Sequence, residues 1–156
     1  MVKYRFIIIY GIISLFLIVG CANDKSESSN SHEQLNITQI SSNQAYNQEY
    51  ANEAKRILSQ KNDIQKIFAV NSDDLLIIAI EIPHHDRFKL SKINNDLSKE
   101  MDKKFEKDKI SVELATDKKI ILELEALEKE LQNNNISKKA LKKRLDHISK
   151  LLKEQT

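Results

Sequence analysis

The chain has 156 residues and sets 25 Lys and Arg against 23 Asp and Glu. Two glycines and one proline exclude collagen-like and proline-rich classes, and a single cysteine excludes an internal disulfide framework or a multi-cysteine metal site. Without the first 20 residues, which hold Lys3 and Arg5, the balance is neutral, so charge supplies no reason to expect nucleic acid as a partner.

Met1 to Arg5 is basic, and Phe6 to Val19 is an almost wholly apolar run of 14 residues. A charged start followed by such a run reads as an export signal. The run is shorter than the roughly 20 residues a spanning helix needs. Ile18-Val19-Gly20-Cys21 resembles the processing box of bacterial lipoproteins. That resemblance implies cleavage before Cys21. It also implies a diacylglycerol on the Cys21 sulfur, with palmitate among the acyl chains, anchoring an exported protein to a bacterial membrane. The thiol is the soft nucleophile suited to the transfer, and two acyl chains make a stable anchor where one does not. No aspartate follows Cys21, and the abundance of Lys, Asn and Ile fits a Gram-positive host.

Residues 21–43 are rich in Ser, Asn, Gln and Glu and have few large apolar side chains. They bury too little to offset their ordering entropy, so a flexible tether is expected. The alternative is a leader whose Leu35, Ile37 and Ile40 dock on the body.

Residues 44–132 form the expected domain. Gln44 to Gln60 has helical spacing, with Tyr46, Tyr50, Ala54, Ile57 and Leu58 on one face. Ile64 to Val70 alternates as a strand, Asn71-Ser72-Asp73 is turn chemistry, and Leu75 to Ile82 is apolar on both faces, as a central strand would be. Leu90, Ile93, Leu97, Met101 and Phe105 stripe a second helix over Lys89–Lys107. Lys109 to Ala115 is a third strand with one face wet. Thr116 is the expected cap of a third helix, striped by Ile120, Leu124, Leu127 and Leu131. Asn133-Asn134-Asn135 reads as a hinge, after which Ser137 caps a fourth helix carrying Leu141, Leu145, Ile148 and Leu152. The fold class expected is α+β, in the order α-β-β-α-β-α-α: a small three-stranded sheet with its helices on one face.

The body resembles the sporulation lipoproteins of endospore-forming bacilli, the YhcN/YlaJ family, over about Gln44 to Leu131. The residues that carry this are the helix AYNQEYANEAKRIL, the strand pair IQKIFAVNSDDLLIIAIEI, the helix KINNDLSKEMDKKF and the strand ISVELATDKKI. Relatives commonly follow the last strand with a polar turn residue, an aspartate and a helix, as Ala115-Thr116-Asp117-Lys118-Lys119 does. The resemblance implies a non-enzymatic module of the spore envelope, binding or structural, that supports germination or outgrowth.

Two clusters are candidate sites. Residues 133–156 hold seven basic side chains against two acidic ones, a balance of +5, including Lys138, Lys139, Lys142, Lys143 and Arg144. The apolar stripe beside them can dock on the core, lie on anionic lipid or a wall polymer, or meet a protein partner. The expectation taken here is surface attachment by a helix the core does not need. Pro83-His84-His85-Asp86 is the only cluster with metal or acid–base potential. An envelope hydrolase or metal-dependent enzyme using His84, His85 and Asp86 is the alternative function. Asp73 and Asp74 read as solvent-facing turn residues. No phosphate loop, HExxH or GxSxG pattern occurs, and no cofactor or metal is expected.

Overall fold

The structure is a computed structural model that describes residues 38–40 and 46–154. Four helices and three strands alternate as the sequence pattern predicts: α1 Glu49–Leu58, β1 Lys66–Asn71, β2 Leu75–Glu81, α2 Leu90–Phe105, β3 Ser111–Ala115, α3 Lys118–Gln132 and α4 Lys138–Glu154. A 3-10 turn, His84–Lys89, leads into α2, and another, Glu106–Asp108, leaves it. The result is a small α+β fold on a mixed sheet of order β1-β2-β3. β1 and β2 form the antiparallel hairpin, while β3 returns parallel to β2 after α2. Ile78 sits at the centre of the sheet, opposite Ala69 on one side and Leu114 on the other.

The helices do not share one face of the sheet. Leu76, Ile78 and Ile80 of β2 pack with Ala51, Ala54 and Leu58 of α1 and with Leu97, Met101 and Phe105 of α2. Ile77 and Ala79 point the other way and pack with Ile120, Leu124 and Leu127 of α3 and with Leu141, Leu145 and Ile148 of α4. The reason lies in β2 itself: a strand apolar at every position must be covered on both sides. The two alanines of α1 present little side chain to the sheet, so the helix backbone can approach β1 closely. The face of β3 read as wet is also covered. Glu113 accepts a 2.6 Å hydrogen bond from the buried Ser149 hydroxyl of α4, and Lys153 lies 3.2 Å away.

Other sequence expectations shift locally. Asp117, not Thr116, caps α3, its Oδ1 accepting from the N–H groups of Lys119 at 2.8 Å and Ile120 at 3.2 Å. Asn133–Asn135 is no loose hinge. Asn134 adopts the left-handed conformation (φ 54°), its N–H donates to Leu131 O, and the Asn135 N–H donates to Glu130 O. That is the paired closure of a Schellman turn, with asparagine in the position glycine usually takes. Buried Ile136 follows, and the Ser137 hydroxyl accepts from Ala140 N as the α4 cap. The α4 stripe therefore docks in the core and is continuous with it.

Part of the expected tether is docked as well. Ile40 is buried with the α3–α4 cluster. Its N–H donates to Asn52 Oδ1, and its carbonyl accepts from Asn52 Nδ2 at 2.8 Å. Residues 1–37, including the export signal and Cys21, lie outside the described residues.

Candidate functional site

Every basic residue singled out near the start of α4 falls into one of two groups. Lys138 and Arg144 belong to the fold: Lys138 pairs with Asp73 of the hairpin turn at 2.9 Å, and Arg144 bonds Glu130 and lies 3.6 Å from Glu123, both on α3. These pairs help set α4 against the hairpin and α3. Lys139, Lys142 and Lys143 are exposed and have no carboxylate partner among the described residues. Helical spacing puts 139 and 143 one turn apart on the side away from Leu141 and Leu145, with 142 between them and that stripe.

These three lysines contribute little to their own helix. The first turn of α4 contains no acidic residue. Helix N-termini carry a partial positive charge that favours anions and fades within the first turn, so an ammonium there, such as that of Lys139, costs about 0.3–1 kcal/mol. The turn that fixes α4 places this positive face on the surface, and the buried stripe beneath holds it there.

A second polar constellation closes the exposed edge of β1. Lys55 of α1 and Glu128 of α3 come from opposite faces of the sheet and meet around that edge at 3.0 Å. Glu128 Oε1 also accepts the outward N–H of Ala69 at 2.7 Å, and Lys55 Nζ donates to Thr38 O at 2.7 Å. Lys55 is 0% exposed and Glu128 4%. Burial pushes the Lys55 ammonium below its usual range and the Glu128 carboxyl above its own; in each case their mutual attraction works against that shift. Two residues along, Gln48 does what a neighbouring strand would do. Its Nε2 donates to Asn71 O at 2.7 Å, and its Oε1 accepts from Asn71 N at 3.0 Å. The Asn71 side chain in turn accepts the Ala51 N–H of α1 at 3.1 Å and donates to Asn47 O and Ser72 O. α1 is thus capped by a residue of β1, not by its own Gln48. A strand edge satisfied by side chains offers no template to another strand. Nothing in local pattern pairs these residues, although Lys55 and Glu128 each fall on a buried stripe, beside Ala54 and Leu58 and beside Leu124 and Leu131.

The His84-His85-Asp86 cluster occupies the 3-10 turn after β2. His84 and His85 are exposed; Asp86 is buried and engaged by Lys89 Nζ and His85 Nε2, each at 3.0 Å. His147 is an exposed residue of α4. Among the described residues, no group of three or more His, Cys, Asp or Glu is arranged to hold a metal ion. No described helix is long and apolar enough to cross a membrane.

The chain matches no protein-family model, and neither the curated proteins nor the solved structures contain a match.

Proposed function

We propose that this protein is a lipid-anchored, non-enzymatic module of the bacterial envelope that holds an anionic envelope polymer against the basic face of α4. The observation that carries the reading is the trio Lys139, Lys142 and Lys143, exposed and without carboxylate partners among the described residues, with Lys139 in the first turn, where the helix dipole disfavours a cation. Such an arrangement breaks a local rule without a gain for folding, a pattern expected at functional positions. The lipoprotein box at Gly20-Cys21 supports membrane anchoring through Cys21. The resemblance to the YhcN/YlaJ family supports a setting in the spore envelope, with a part in germination or outgrowth.

The test uses the full-length chain in neutral detergent, mixed with purified Gram-positive cell wall. It should co-sediment at low salt and be released as salt rises, because contacts between exposed charges are screened over about 10 Å at 0.1 M salt. Vesicles with and without phosphatidylglycerol, mixed with the chain after removal of detergent, form the second arm, the neutral vesicles taking up the N-terminal anchor alone. Retention that requires phosphatidylglycerol, without retention on wall, would move the surface from polymer to lipid, and no charge-dependent retention on either would sink the proposal.

A further inference from the structure

Beside the start of α4, the end of the hairpin and the approach to α1 enclose a cavity of 330 Å³. That volume lies at the small end of ligand sites. Its lining combines three kinds of group. Tyr46 and Tyr50 are half-buried aromatic rings, and buried Leu141 adds apolar surface. Ser72 and Asn47 are polar, and Lys142 contributes an ammonium.

The hydrogen-bonding state of these residues separates scaffold from free groups. Asn71 also lines the cavity, but its amide is fully committed to Ala51, Asn47 and Ser72. Asp73 and Lys138 at the rim neutralise each other at 2.9 Å. The Tyr46, Tyr50 and Ser72 hydroxyls and the Lys142 ammonium have no hydrogen-bond partner among the described residues. The Tyr50 ring packs edge-on against Phe105, with ring centroids 5.9 Å apart. The cavity thus joins flat aromatic surface, several hydroxyls able both to donate and to accept, and one uncompensated positive charge.

We propose that this cavity binds a single sugar ring bearing an anionic group, the ring on the tyrosines and its carboxylate or phosphate on Lys142. A sugar offers both a carbon–hydrogen face for an aromatic ring and hydroxyls for Tyr46, Tyr50 and Ser72. A charge-assisted bond is the stronger contact, so Lys142 selects acidic over neutral sugars. The inference deepens the envelope-binding reading and rests on it: the outer lysines hold the polymer, and the cavity reads one unit of it. Two wall chemistries meet this description, a carboxylate-bearing amino sugar and a sugar phosphate.

The experiment is an NMR titration of the full-length chain in neutral detergent. The probes are N-acetylmuramic acid, glucose 6-phosphate and, as a neutral control, N-acetylglucosamine. Saturable shifts at Tyr46, Tyr50 and Ser72 with one of the acidic probes, at least about fivefold tighter than with the control, support the proposal and identify the anion. A single ring in a small open cavity is expected to bind at about millimolar Kd. Lys142→Gln, an exposed substitution that leaves the core intact, should weaken the preferred probe by about tenfold, and Tyr46→Phe should weaken both acidic and neutral probes. No saturable shift with either acid, or unchanged affinity in Lys142→Gln, overturns the proposal. Lys139→Gln/Lys143→Gln separates the two readings. Loss of wall retention with an intact titration leaves the cavity standing. Wall retention in the wild type without any titration removes the cavity alone.

Discussion

Lys55 Nζ and Glu128 Oε1 lie 3.0 Å apart although their helices cover opposite faces of the sheet. The pair ties the two helical layers together around the edge of β1 and satisfies the Ala69 N–H in passing. Because burial opposes both charges, its worth lies in the matching of the partners. Removing one partner of such a pair typically costs about 3–5 kcal/mol, since the other is left charged and dry. Lys55→Met should therefore destabilise strongly in urea melts. Adding Glu128→Gln, which keeps an acceptor for Ala69, should recover part of the loss. Additive losses in the double-mutant cycle would show that the two side chains do not interact.

The sheet centre is the least tolerant position. Ile78 is fully buried between Ala69 and Leu114. A carboxylate there has no partner on either face, and its burial costs several kcal/mol against a total stability of about 5–15 kcal/mol. Ile78→Asp should abolish cooperative unfolding; a wild-type melting temperature would contradict the buried central strand.

Removal of α4 tests the docking. Leu145 is fully buried against the α3 side of the core, and Ile148 nearly so. Truncation after Gln132 should leave an unfolded or aggregated product, the reverse of what a detachable helix would give. Leu145→Ala should cost about 2–5 kcal/mol by the cavity it leaves. A truncated chain with native near-UV dichroism would contradict this.

Acid sensitivity has one identifiable contributor. Hydrogen bonds from Arg56 and Lys104 hold the Glu53 carboxyl at about 2, against an ordinary value of 4.5. A depressed carboxyl contributes stability that is fully present above pH 4.5 and is lost as pH falls toward 2. The site is near the surface, so the contribution is small and salt-sensitive. Glu53→Gln should flatten the stability profile between pH 4.5 and 2 and change little at pH 7. An unchanged acid limb would remove Glu53 from the account.

Much of the fold is legible in residue spacing, and what is not has a physical cause. Period-2 runs locate β1 and β3, and the apolar stripes locate all four helices, because burial of one face is written into spacing. The continuous run Leu75–Ile82 already calls for cover on both sides. Reading Glu113 as wet obscures this, because α4 brings Ser149 and Lys153 to it from 36 and 40 residues away. The docking of Ile40 depends likewise on Asn52, a residue that reads as an ordinary polar position of α1. For the surface site, composition picks out the basic segment. Only the fold separates Lys138 and Arg144, which pair with carboxylates, from Lys139, Lys142 and Lys143. Tyr46 and Tyr50 read as helix stripe. Their place beside Ser72 and Lys142 depends on how the hairpin meets α4.

The claim that Lys139, Lys142 and Lys143 form a binding surface is tested most directly by substituting all three with glutamine in the full-length chain. Retention on purified cell wall is then measured from low to high salt. All three are exposed and unpaired among the described residues, so the melting temperature should stay within error of the wild type. The account predicts loss of most low-salt retention and a flatter salt dependence in the variant. Undiminished, equally salt-sensitive retention by the folded triple variant would contradict it.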